Sequence, residues 1–178
     1  MKTEKTTLTE NQQIMYKCAV TFGRFNIPHS GHVELVQQML LLADYADVHL
    51  SGSDKNTDYD IRLLLFRHVC RMAGVDLSRV RFYNSLSVTE AMTFSVDIAP
   101  FNEVVLVLGS DQINMGYSIS KAYDTAFVIN SRSTSSTEKR YFLDNCKFQE
   151  DMLPHFQGDE FALTLSLILR KDELIRDL

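Results

Sequence analysis

Cys18-Ala19-Val20-Thr21-Phe22-Gly23-Arg24-Phe25-Asn26-Ile27-Pro28-His29-Ser30-Gly31-His32 carries the chain from an apolar run through a loop into a helix. Residues 18–22 show the pattern of a strand covered on both faces, and Gly23 ends it. From Ser30 onward Val33, Val36, Leu40 and Ala43 recur at helical spacing, with Ser30 as the expected N-cap. Strand, loop and helix in that order open a βαβ unit.

The alternation continues outward from there. Strands are predicted at 47–50, 80–83, 103–108 and 125–129, and helices at 58–73, 89–98, 112–122, 137–144 and 160–176. The run Glu103-Val104-Val105-Leu106-Val107-Leu108 is the strongest strand, and Gly109-Ser110-Asp111 stops it. Five strands alternating with helices predict an α/β fold, a doubly wound, five-stranded and mainly parallel sheet of Rossmann-like form. In such sheets ligands bind beyond the carboxyl ends of the strands.

The 178 residues predict one domain over 17–178 behind a polar leader at 1–16. A net charge of −5 argues against nucleic acid as a partner, which needs a basic stripe. No stretch approaches a membrane span and the leader lacks the apolar core of a secretory signal, so a cytoplasmic protein is expected. Cys18, Cys70 and Cys146 are odd in number and widely spaced, which indicates neither a disulfide framework nor a four-ligand zinc site. Met39, Met72, Met92 and Met152 read as packing residues, and His49, His68 and His155 as ordinary structural or surface residues. The stripe Phe161, Leu165, Ile168 and Leu169 reads as packing on the sheet, with a contact between copies of the chain as the alternative.

Four segments leave predicted strand ends: 23–32, 52–57, 109–112 and 131–140. Together they bring Arg24, Lys55, Arg132, Lys139 and Arg140, two histidines and many hydroxyls to one edge of an acidic protein. That is a cationic pocket suited to phosphate. The start of the first helix adds backbone N–H groups expected to be open to an anion, and His29 and His32 can donate to phosphate oxygens there. Neither a G-x-G-x-x-G nor a G-x-x-x-x-G-K-[ST] motif is present, which disfavours a dinucleotide dehydrogenase and a P-loop enzyme.

Gly23-Arg24-Phe25 followed by His29-Ser30-Gly31-His32 resembles the H-x-G-H signature of the nucleotidyltransferase superfamily. Ser135-Ser136-Thr137-Glu138-Lys139-Arg140 is similar to that family's second signature, and Gly109-Ser110-Asp111 to a recurring family loop. The resemblance implies that His29, His32 and Arg140 serve catalysis and that Gly23, Arg24, Phe25, Gly31, Lys55, Gly109, Asp111, Ser135, Ser136 and Thr137 bind the nucleotide. Arg62 matches a basic family position beside the phosphates, with a helix-surface residue as the alternative. It also implies Mg²⁺ carried in with ATP or CTP, and a small phosphorylated acceptor. The chain is most like the smaller nicotinamide mononucleotide adenylyltransferases. A cytidylyltransferase and a phosphopantetheine adenylyltransferase stand beside that reading, as do a non-catalytic nucleotide-binding module and a zinc-dependent hydrolase. One departure is that proline directly precedes the first histidine, as Pro28-His29, so the loop is expected to turn differently around Phe25 and Asn26.

Overall fold

A computed structural model describes residues 15–26, 28–52, 59–130 and 154. Its strands are β1 (Tyr16–Gly23), β2 (Ala43–Ser51), β3 (Val80–Ser85), β4 (Val104–Gly109) and β5 (Ala126–Asn130). Between them run the helices α1 (Ser30–Leu42), α2 (Tyr59–Met72), α3 (Val88–Ile98) and α4 (Ile113–Tyr123). All five strands are parallel, in the order β3-β2-β1-β4-β5. The order reverses direction between β1 and β4, the switch point at which an open sheet offers its crevice.

Each strand sends alternate residues to opposite faces. Ala19, Ala46, Val48, Leu50, Val105 and Val107 pack beneath Val36 and Met39 of α1 and Phe66 and Cys70 of α2. On the other face Cys18, Val20, Leu106 and Leu108 meet Ala91 and Met92 of α3 and Ile119 of α4. Both faces of β4 are therefore covered, which is why its sequence is an unbroken apolar run.

The second strand runs from 43 rather than 47 and passes directly out of α1, whose last turn is closed by the Ala43 N–H donating to the Met39 carbonyl. Asp44 and Tyr45 hide its start because they interrupt the apolar pattern, yet Tyr45 pairs in register with Cys18. Met39 and Met92 are buried, whereas Met72 is 73% exposed. Buried α2 residues fall at Arg62, Leu65, Phe66 and Cys70, and a residue two beyond Cys70 lies on the opposite side of the helix. Cys18 and Cys70 are buried free thiols. The helices expected at 137–144 and 160–176, with Cys146, lie outside the described residues. Among the described residues no helix is long and apolar enough to cross a membrane.

On the α3 side, β2 and β3 carry polar residues where an apolar core is the rule. Asp47 is wholly buried and accepts from Arg81 Nε at 2.6 Å and Nη2 at 3.1 Å. The Cys18 thiol donates to the same carboxylate at 2.9 Å, and burial together with that charge pushes its pKa up. Arg81 lies 4.5 Å over the Tyr45 ring. Next along β2, His49 is 1% exposed, stacked on Tyr83 and 2.7 Å from Ser85 Oγ through Nδ1.

Burial lowers the His49 pKa to about 4, against the opposing pull of the Asp47 and Glu90 carboxylates. The unfolded chain, with an ordinary histidine, therefore binds more protons between about pH 6.5 and 4, and stability falls as pH falls through that window. By pH 5 the loss attributable to His49 is about 2 kcal/mol. Denaturant unfolding of His49→Asn across that range is expected to show a flatter acid limb than wild type; parallel limbs would assign the loss to other groups.

Candidate active site

The start of α1 is built out of the two histidines. His29 stands just before the helix with an extended backbone, and its Nδ1 accepts the Gly31 N–H at 3.0 Å. His32 reaches back, its Nδ1 accepting the His29 N–H at 3.3 Å. This is a capping box in which imidazoles replace the usual hydroxyl and carboxylate. Ser30, expected as the cap, is instead the first helical residue. The Nδ1 of histidine is as many bonds from the backbone as the side-chain oxygen of Asn, so His29 fills that role with the same reach.

A nitrogen that accepts carries no proton, so the caps fix both neutral rings as Nε2–H tautomers. The rings stack with centroids 3.9 Å apart and planes 22° apart, and Phe66 of α2 continues the stack 5.8 Å beyond His32. Phe25 closes the side, edge-on to His32 at 4.9 Å and to Phe66 at 4.9 Å. His29 is 0% and His32 2% exposed, so neither ring has room to reorient. Each neutral ring therefore carries its proton on Nε2, a donor of the kind that binds phosphoryl oxygens.

The backbone donors expected at the helix start are already engaged. Gly31 N–H serves His29 Nδ1, and the N–H groups of His32 and Val33 donate to the His29 carbonyl at 3.0 and 3.2 Å. An anion here would be met by side chains rather than by these amides.

The loop between β1 and α1 is held tightly. Phe25 sits at φ +48°, buried, with its ring folded back over Gly23, where an added Cβ would meet it at 3.4 Å. An aromatic residue in the left-handed region costs about 1–3 kcal/mol and persists only where its surroundings demand it. Asn26, Pro28 and Gly31 are buried, while Arg24 is exposed. Arg62 is neither on the helix surface nor at an open edge: it is fully buried and donates from Nη1 to the Arg24 carbonyl and from Nη2 to the Ser51 carbonyl, each at 2.6 Å.

Across the crevice, the pairing of β1 with β4 runs from Cys18–Val104 only to Val20–Leu106. Carried on, that register sets Gly23 level with Gly109, where both strands end. Gly109 is buried, its N–H donating to Gln112 Oε1 at 3.4 Å, and Asp111 is exposed in the turn that follows. The structure thus brings Gly23, Arg24, Phe25, His29, Gly31, His32, Gly109 and Asp111 to one edge of the sheet. Lys55, Ser135, Ser136, Thr137 and Arg140 lie outside the described residues. Phe66 and the inward placement of Arg62 escaped sequence reasoning, although Arg62, Phe66 and Cys70 share helical spacing that marks a single buried face.

No protein-family model matches the sequence, and no curated protein matches it. Solved structures do match the fold. A bifunctional NMN adenylyltransferase/ADP ribose pyrophosphatase from Francisella tularensis aligns over 85% of this chain with a TM-score of 0.63 at 17% identity. A nicotinic acid mononucleotide adenylyltransferase from Plasmodium falciparum aligns over 85% of this chain and 96% of its own, with a TM-score of 0.62 at 14% identity. The fold is the one these two adenylyltransferases have. The chain spans about half the length of the Francisella tularensis protein, 49% of it. In this fold the paired histidines stand beside the switch point between β1 and β4.

Proposed function

We propose that this chain transfers a nucleoside monophosphate from a nucleoside triphosphate to a phosphate-bearing acceptor, with ATP and nicotinamide mononucleotide as the pair and NAD as the product. The observation that carries the reading is the stacked His29–His32 pair, its Nδ1 atoms locked in the helix cap and an Nε2–H donor on each ring. In the reaction an acceptor phosphate oxygen bonds to the α-phosphorus while the bond from that phosphorus to the bridging oxygen breaks, and pyrophosphate leaves with the electron pair. No protein nucleophile is needed. Catalysis is positioning together with hydrogen bonds that strengthen as charge gathers on the phosphoryl oxygens.

In this reading Ser136, Thr137 and Arg140 hold the β- and γ-phosphates with Lys55 beside them, Ser135 belongs to the same nucleotide-binding stretch, and backbone groups near Gly109 and Asp111 contact the ribose. Mg²⁺ brought in with the triphosphate would neutralise part of its charge. Among the described residues no group of three His, Cys, Asp or Glu is placed to hold a metal ion. The Francisella tularensis protein was solved complexed with AMP and an Mn ion, and the Plasmodium falciparum protein with NaAD, which supports an adenylyl donor and a pyridine nucleotide acceptor.

Pyrophosphate release with Mg²⁺ tests it, crossing ATP and CTP against nicotinamide mononucleotide, phosphopantetheine and glycerol 3-phosphate. Release with ATP and nicotinamide mononucleotide alone is the expected result. Release with another pair would keep nucleotidyl transfer and replace the substrates. Silence across the panel with ATP still bound would favour a nucleotide-binding module without turnover.

A further inference from the structure

We propose that Arg62 is a positioning residue for the histidine pair, acting through the Arg24 carbonyl and the Phe25 ring rather than on phosphate directly. The largest of the fully buried side chains is this arginine, and its described hydrogen bonds run to main-chain carbonyls at two strand ends. One is the carbonyl of Arg24, the residue after β1; the other belongs to Ser51, the last residue of β2. A buried guanidinium engaged in this way fixes peptide planes, because its planar fork offers donors in set directions.

The plane it fixes at Arg24 matters most. That carbonyl belongs to the peptide linking Arg24 to Phe25, and Phe25 is the residue held at φ +48°. Holding the carbonyl against the guanidinium keeps the peptide turned in the sense that a left-handed Phe25 requires. The left-handed turn in turn sends the Phe25 ring back between Gly23, His32 and Phe66. With the ring there, His32 is wedged against His29, and both keep the tautomer that presents Nε2–H. Guanidinium, peptide, phenyl ring and imidazoles form one physically continuous series.

Arg79 supplies an internal comparison. It too donates to backbone carbonyls, those of Leu40, Ala43 and Asp44, where α1 ends and β2 begins. Removing it breaks guanidinium–carbonyl bonds of the same kind at the opposite end of β2.

The test uses the full chain without substrate. Long-range proton–nitrogen correlation spectra of the histidine side chains should show His29 and His32 of the wild type as Nε2–H tautomers. In Arg62→Met and in Phe25→Gly both should lose that single pattern while the backbone amide spectrum elsewhere is retained; Arg79→Met should preserve it. Glycine takes a positive φ without strain, so Phe25→Gly removes the ring without straining the loop, and the spectra of Arg62→Lys, which keeps a buried donor, test the arginine should Arg62→Met fail to fold. Kinetically, and here the inference rests on the proposed function, Arg62→Met should lower kcat about 10²-fold with KM for ATP changed by less than about twofold. Arg62→Lys, able to serve one carbonyl, should fall between. Unchanged tautomers in Arg62→Met or in Phe25→Gly would overturn the proposal. So would a raised KM for ATP with kcat intact in Arg62→Met, which would put the guanidinium on phosphate. Because the spectra need no turnover, they decide the positioning role even where the enzymatic reading fails.

Discussion

His32→Ala is expected to lower turnover by roughly 10²- to 10³-fold, the effect of removing one preorganised donor from a developing oxyanion. The same substitution also removes the acceptor for the His29 N–H, so a cap worth about 1 kcal/mol is lost with it and the melting temperature should drop by about 2–4 °C. Two further substitutions separate these effects. His32→Asn places an amide oxygen where Nδ1 stood and offers nothing where Nε2–H stood, so its stability should return toward wild type while its turnover stays as low as that of the alanine variant. His32→Gln offers an amide donor near the Nε2 position but no cap, and should show the reverse. Steady-state kinetics beside thermal melts read both quantities. If His32→Asn recovered activity along with stability, the histidine would be a helix cap and no more.

The second large effect is on stability, at the buried pair of β2 and β3. Arg81→Ala leaves the Asp47 carboxylate inside the sheet with the Cys18 thiol as its remaining described donor, and is expected to cost about 3–4 kcal/mol. That lies toward the lower end for a broken buried pair, because the guanidinium is itself 37% exposed while the carboxylate is not exposed at all. Replacing both partners, Asp47→Leu with Arg81→Met, should recover most of the loss, since the cost lies in the stranded charge rather than in the absence of a bond. Urea unfolding of the single and double variants closes the cycle. A cost below about 1 kcal/mol for Arg81→Ala would mean that water reaches Asp47 once the arginine is gone.

Much of this architecture is legible in the chain itself. Covered parallel strands advertise themselves as apolar runs, so β1 and β4 can be read almost to the residue. The start of β2 cannot, because Asp44 and Tyr45 interrupt the apolar pattern, and the Tyr45 ring finds its partner in Arg81 of β3, far along the chain. The histidine pair is visible as spacing, and its helix as periodicity. That Nδ1 of each ring is committed to the cap is not visible, since it depends on backbone angles that no residue type dictates. Nor is the left-handed turn at Phe25: phenylalanine avoids that region by itself, and only the contacts around it impose the conformation.

The early end of the β1–β4 ladder bears on how this chain tolerates change. Past Val20 and Leu106 each strand remains tied to its outer neighbour, β1 to β2 through Gly23–Leu50 and β4 to β5 through Gly109–Asn130. Their inner margins form two rails of main-chain amides and carbonyls that face each other inside the sheet. Those groups belong to every amino acid except, for the amide, proline. Substitution along the rails can alter what surrounds a ligand, but it cannot delete the polar groups the rails hold out. What the backbone presents there survives extensive rewriting of the side chains, as the fold itself does in structures that align at 14 to 17% identity.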